Sequence, residues 1–522
     1  MQVPMTPSRI LDRAVKLYPH KTAVVDGALR VTYQEFADRV NRASRALGDA
    51  GIARGGRIAI LDYNSCRYME LYFATARAQR VLLPLNTRIS VDEYAFILSN
   101  AGAEALVFHT DFTPLVDKIR HKVDRVTHYY VAEGPADREW ITGTYEALTE
   151  GASPNPLPFV PDDENAMINL YYTSGTTGRP KGVMLTNRNV YMNALTSIIS
   201  FKLDDTTVWY HIAPLFHIAD AFFIWSVTFQ GGRHVMQRKF DTTDILQTIE
   251  REKVTSSVMV PTMIGFLLDD PRLDDCDLSS LEWLMVGGAP MSPANATRMM
   301  DRFGCRYISG YGLTETTPLL TVGNLKDTLA GKDEATKMGY LTRTGIDAIG
   351  VDVRVVDDEG NDVPRNGRTI GEIIVRGDNV MEGYWNLLEE TVRSIRNGYF
   401  YTGDLATVDA EGYVLIVDRS KDVIISGGEN ITSVEIENVI YTNPKVLECA
   451  VIPVPDEKWG EVTKAVVSLK QGALMTEREL IDFCKKDLAH FKVPRYVDFV
   501  TDFPRTGSGK IRKTELRKTH GG

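Results

Sequence analysis

The chain has 522 residues, of which 59 are Lys or Arg and 69 are Asp or Glu, so its formal charge is −10, and 43% of it is hydrophobic. That length and apolar content exclude a disordered polymer and predict two or more domains with large cores. The acidic balance, without a dominant Lys/Arg block, excludes a general binder of the nucleic-acid backbone, which needs a basic face, so any anionic ligand has to be held locally.

In chain order, Thr32 to Gly48 places Phe36, Val40, Ala43 and Leu47 at helical spacing behind a Thr32-x-x-Glu35 capping box. Short apolar runs follow at 57–61, 81–85, 105–108, 168–172, 254–260 and 281–286, several of them separated by helix-patterned stretches. This alternation predicts α/β layers with sheets covered on both faces. From about residue 345 the texture changes to short strands with Gly and Asp turns, as at 351–356 and 372–376, which predicts a β-rich subdomain over about 345–418. The last hundred residues mix both types: Thr432-x-x-Glu435 and Thr476-x-x-Glu479 open helices, and 450–454 and 465–469 read as strands. The expected organisation is a large α/β domain over 1–420 and a small, mobile α+β domain over 421–522, joined by a short hinge at Lys421. Cys66, Cys276, Cys305, Cys449 and Cys484 form no CxxC pair, which suggests neither a disulfide framework nor a zinc site. No stretch is long and apolar enough to span a bilayer, so a cytoplasmic location is expected.

The most informative segment is Tyr172-Thr173-Ser174-Gly175-Thr176-Thr177-Gly178-Arg179-Pro180-Lys181-Gly182, after an apolar strand and before a helix-like stretch at 189–199. Small hydroxyls and glycines let backbone N–H groups approach phosphate oxygens, and the lysine adds a point charge. It is not a Walker A loop, because Gly178 is followed by Arg-Pro-Lys.

This loop resembles the phosphate-binding loop of the adenylate-forming (AMP-binding, acyl-CoA synthetase) superfamily, and four further segments match in the family's order. They are Gly310-Tyr311-Gly312-Leu313-Thr314-Glu315, Tyr401-Thr402-Gly403-Asp404, Asp418-Arg419-Ser420-Lys421-Asp422 and Pro504-Arg505-Thr506-Gly507-Ser508-Gly509-Lys510. The resemblance covers nearly the whole chain. It implies that Thr173 to Gly178 and Lys181 hold ATP phosphates, that Thr173 and Glu315 bind Mg2+, that Tyr311 and the backbone of Gly287, Gly288 and Ala289 meet the adenine, and that Gly310, Gly312 and Thr314 also bind the cofactor. Asp404, with two acceptor oxygens, would take both ribose hydroxyls, and Arg419 would grip ribose or phosphate. A hard cation suits the Glu315 carboxylate, although a glutamate in a turn is otherwise most often a solvated loop residue.

Lys510 is the implied catalytic lysine, stabilising charge as the substrate carboxylate attacks the α-phosphate. Lys421 would be the hinge about which the small domain turns, and Gly427 and Gly428 would let the pantetheine of coenzyme A pass close to backbone. Many relatives carry Arg or an aromatic near Glu429 and Asn430, and Gly428-Glu429-Asn430 resembles instead the branch of fatty-acyl and carnitine-type ligases. Ala213-Pro214-Leu215-Phe216-His217 looks like the substrate gate, with His217 as its catalytic-site residue and Phe216, Phe222, Phe223 and Trp225 as apolar walls or as simple core. Asp220, three residues after His217, would either orient that histidine or read a hydroxyl or cation on the substrate.

The expected reaction joins a carboxylic acid and ATP to acyl-AMP and pyrophosphate, then passes the acyl group to coenzyme A with release of AMP. A medium- or long-chain fatty acid or another largely apolar acid is the expected substrate. An aryl or carnitine-like acid, or an acyl-AMP ligase loading a carrier protein, is the alternative. The resemblance leaves a homodimer open.

Overall fold

The computed structural model describes residues 3–157, 163–173, 179–289, 291–427, 429–505 and 511–521. Continuous apolar runs such as Arg57–Leu61 and Val81–Pro84 become strands buried on both faces, as central strands of a covered parallel sheet must be. They belong to an eight-stranded sheet ordered Gly383–Tyr384, Lys181–Thr186, Met167–Thr173, Val81–Pro84, Arg57–Leu61, Ala103–His109, His128–Glu133, Gly143–Thr144.

A second sheet has nine strands. Its middle runs parallel through Arg306–Gly312, Trp283–Val286, Ser256–Met259, Val208–His211, Arg233–Met236 and Thr22–Asp26. Because these strands share one direction, their carboxyl ends line a single edge, where open α/β sheets place their ligands. Helices Asn187–Phe201 and Ile218–Gln230 pack on each other, and the largest core cluster gathers Tyr72, Phe73, Trp209, Phe223, Trp225 and Trp283 around them.

The β-rich texture becomes an antiparallel sheet of Val351–Val356, Gly371–Gly377, Tyr399–Val408, Ile395–Arg396 and Val414–Arg419. A further sheet is built only from residues beyond 423: Ile424–Ser426, Glu429–Ile431, Val446–Asp456, Gly460–Leu469 and Tyr496–Phe499. It has its own core, which includes Ile424, Ile436, Ile440, Val451, Val467 and Leu480.

Two of the three capping boxes form. Thr32 accepts from Glu35 N while the Glu35 carboxylate accepts from Thr32 N at 2.8 Å, and Thr476 and Glu479 do the same. The box at Thr432 does not form, although helix Ser433–Tyr441 does begin there. The Thr432 hydroxyl reaches the Glu435 carboxylate only at 3.4 Å, while that carboxylate is held by Lys492 Nζ at 2.7 Å and Ser433 N donates to Asp418 Oδ2 at 2.5 Å, so tertiary partners outcompete the local backbone bonds of the box.

Cys66, Cys305, Cys449 and Cys484 are buried and Cys276 is half-buried, all without disulfides. Burial pushes every one of these thiols up, Cys484 to about 11 and Cys305 to about 12. No described helix is long and apolar enough to cross a membrane.

Candidate active site

Tyr311 stands near the carboxyl end of the strand Arg306–Gly312 and donates its hydroxyl to Asp404 Oδ2 at 2.8 Å. Asp404 lies on the long strand of the β-rich sheet, opposite Arg419 in the ladder, and Arg419 Nε sits 3.1 Å from Asp404 Oδ1. Three residues from three different sequence motifs therefore meet in one hydrogen-bonded group. Burial, and next the charge of Asp404, push the Tyr311 phenol well up, which keeps it protonated as a donor. Tyr311 and Arg419 engage one oxygen each of a carboxylate with about four lone-pair directions, leaving acceptor capacity for a diol.

The neighbouring backbones approach one another because side chains are missing. A Cβ on Gly287 would stand 3.1 Å from Gly310 O, and one on Gly310 would strike Met285 Cε. Gly288 has φ +80°, a conformation open to glycine, and Ala289 follows it. At Gly312 a Cβ would fall 1.7 Å from Pro318 O, which is backbone and is held by Leu313 N at 3.1 Å. Gly312→Ala should therefore displace the turn carrying Thr314 and Glu315. We expect a loss of about 1–3 kcal/mol, read as a lowered Tm in calorimetry, together with weaker nucleotide binding.

At the glycine-rich loop, Thr173 pairs with Lys181 at the closed end of a hairpin; the residues between them from Ser174 to Gly178 lie outside the described residues. Lys181 Nζ forms an ion pair with Glu390 and lies 5.1 Å from the centre of the Tyr384 ring. Tyr384 in turn donates its hydroxyl to Glu315 Oε1 at 2.9 Å, and Glu315 O accepts from Met381 N at 2.8 Å. Burial raises the Glu315 carboxyl above its ordinary value. Among the described residues no group of three or more His, Cys, Asp or Glu side chains could cage a metal. The Glu315 carboxylate and the Thr173 hydroxyl are hard oxygen donors, and a site of that kind, completed by phosphate and water oxygens, is what Mg2+ accepts. Tyr384 and Glu390 were not legible in the sequence. The first sits after a glycine in a two-residue strand and the second on a seven-residue helix, without periodicity or charge clustering to single them out.

On the acid side, His217 is the N-cap residue of helix Ile218–Gln230, and the Phe216 ring lies 4.5 Å from it. Asp220 does not share a helix face with Ile218, Phe222 and Trp225. At about 100° per residue, Phe222 and Trp225 fall within about 40° of Ile218, whereas Asp220 lies about 200° round. Its carboxylate is fully buried against the nine-stranded sheet, where Oδ1 accepts from Trp209 Nε1 and His211 Nδ1, both at 2.9 Å. The reading in which it orients His217 through its side chain is thus replaced by a role in fastening the helix to the sheet. The aromatic row divides in the same way. Phe223 stacks on Trp209 with centroids 3.5 Å apart, while Ile218, Phe222 and Trp225 border a water-sized cavity of about 10 Å³.

In the small domain, Lys510 and Gly428 lie outside the described residues. Gly427 has φ +59° and donates its N–H to Trp459 O at 2.8 Å, with the indole packed where a Cβ would be. Lys421 O accepts from Arg517 Nη1 at 3.2 Å, and the Arg517 guanidinium pairs with Asp422 at 2.7 Å.

Comparison with known proteins converges on one family. The AMP-binding enzyme profile matches residues 11–385, and that of the AMP-binding enzyme C-terminal domain matches 435–510. A feruloyl-CoA synthase of Amycolatopsis sp is 39% identical over 98% of both chains. The 4-hydroxybutyrate–CoA ligase 2 of Metallosphaera sedula is 35% identical over 98% of this chain and 94% of its own. Among solved structures, the anthranilate CoA ligase AuaEII in complex with anthranoyl-AMP superposes with a TM-score of 0.89 at 25% identity, covering 99% of this chain and 98% of that one. ATP-bound MatB from Rhodopseudomonas palustris gives 0.85 at 32%, covering 98% and 99%. On these matches the chain belongs to the AMP-binding enzyme family of adenylate-forming acid–thiol ligases.

Proposed function

We propose that this ATP-dependent acyl-CoA ligase activates a compact, largely apolar acid, aryl or short aliphatic, in preference to a long-chain fatty acid. The observation that supports this reading is the packing behind His217. Trp209, Phe223, Trp283 and Phe201 pack ring against ring on the sheet side of the helix, and the cavity on its other side, beside Ile218, Phe222 and Trp225, is water-sized. The acids named in the relatives above, ferulate, 4-hydroxybutyrate and anthranilate, are of that compact kind.

In this reading, Asp404 accepts the ribose hydroxyls, Tyr311 and the glycine backbones at 287, 288 and 310 hold adenine, and Thr173 to Gly178 with Lys181 hold phosphates. Glu315 and Thr173 would hold Mg2+, which when bound neutralises charge on the phosphates. The acid's carboxylate attacks the α-phosphorus and pyrophosphate leaves, with Lys510 stabilising the developing charge. After residues 421–522 turn about Lys421, the thiol of coenzyme A attacks the acyl carbon beside Gly427 and Gly428, and AMP leaves.

Pyrophosphate release across short, aryl, medium and long acids, with and without coenzyme A, tests this. Compact acids should exceed a sixteen-carbon acid by about tenfold or more in kcat/KM, with acyl-CoA appearing only when coenzyme A is present. A preference for the long acid would overturn the proposed size class.

A further inference from the structure

The small cavity beside Ile218 is lined on its other side by the polar residues Asn169, Tyr171, Asn193 and Thr317. Asn169 sits in the middle of the apolar strand Met167–Thr173, is 2% exposed, and has no hydrogen bond to its carboxamide among the described residues. Asn193, 1% exposed on the helix Asn187–Phe201, accepts from Leu319 N through Oδ1 at 3.2 Å, which leaves its Nδ2 donor pointed at no described acceptor. Thr317 donates to Asn379 O at 2.7 Å and keeps lone pairs free. Burying a carboxamide without partners costs about 1–3 kcal/mol, so the Asn169 carboxamide and the remaining NH2 of Asn193 facing one water-sized space imply something that fills it.

The space borders residues near in sequence to two of the proposed site. Ile218 follows His217 directly, and Thr317 lies two residues beyond Glu315. No charged side chain lines it, so a carboxylate or ammonium there would be buried unpaired. A neutral group of one heavy atom that both donates and accepts would satisfy the two amides.

We propose that this is a subsite for a hydroxyl carried by the acyl group, read by Asn169 and Asn193, so that the preferred acid is a hydroxylated one. The inference rests on the ligase reading above and narrows its substrate class. A site built to hydrogen-bond a hydroxyl rejects the analogue that lacks it far more strongly than an apolar pocket rejects an added one.

The test uses pairs of acids that differ by one hydroxyl, such as 4-hydroxycinnamate with cinnamate and 4-hydroxybutyrate with butyrate. The readout is kcat/KM for pyrophosphate release. The wild-type protein should prefer the hydroxylated member of at least one pair by about tenfold or more, and Asn169→Leu, which keeps the volume, should lower that ratio by about tenfold. A wild-type ratio below about threefold in every pair overturns the subsite and leaves a buried water as the occupant; this arm needs no variant and stands even if Asn169→Leu fails to fold. A ratio unchanged by Asn169→Leu also overturns it. If no acid of either kind releases pyrophosphate, the ligase reading itself falls and this inference with it.

Discussion

Lys510→Ala should lower adenylate formation by about 10²–10³-fold, the loss seen when one preorganised donor is removed from a developing negative charge. Conversion of supplied acyl-AMP to acyl-CoA should fall far less if, as proposed above, that step forms its charge at the thioester centre after the small domain has turned. The contrast comes from where the lysine is carried. Arg505 and Ile511, which bracket it, pair as an isolated bridge, and they belong to a domain whose core is distinct from that of the large sheets. Stopped-flow pyrophosphate release and a separate thioester assay from synthetic acyl-AMP measure the two steps. Equal losses in both would contradict the division of labour.

Lys421→Pro should do the opposite: adenylation survives and thioester formation falls by about 10²-fold or more. Proline fixes φ and pushes Ser420 toward extended backbone, so one of two domain orientations is lost. The backbone hydrogen bonds of this turn run from Ser420, Asp422 and Val423, to Gly403 O and Arg419 O, and none is donated by Lys421 N. The substitution therefore removes rotation without removing a hydrogen bond of the turn. Wild-type conversion to acyl-CoA in the variant would show that the joint lies elsewhere.

What the sequence made legible followed from repetition and from local chemistry. The helix behind Thr32 and the strands at 57–61 and 351–356 are set by periodicity and capping that neighbouring residues supply, and they appear where expected. The group Tyr311, Asp404 and Arg419 was legible as three separate motifs, but their hydrogen bonding depends on two sheets meeting, which no local pattern encodes. Tyr384 was hidden for the same reason: its hydroxyl matters only because a two-residue strand beside the phosphate hairpin brings it to Glu315. Asp220 shows the converse. Its spacing from His217 suggested a local pair, yet the sheet beneath the helix offered Trp209 and His211, and burial favoured those partners. Helix geometry limits which neighbours are available, and packing chooses among them.

The condition of the five cysteines has a practical side for a protein whose second substrate is itself a thiol. Attack on a disulfide or an alkylating reagent requires the thiolate, and a buried thiol pushed up to about 12, such as Cys305, is rarely ionised at neutral pH. Free coenzyme A is ionised far more often and is not enclosed, so it reacts first. Iodoacetamide should thus quench unused coenzyme A in an assay before it alkylates the four buried cysteines, and a swing of the coenzyme A pool toward its disulfide should starve the second half-reaction of thiol while sparing those four, with the half-buried Cys276 the first to be marked.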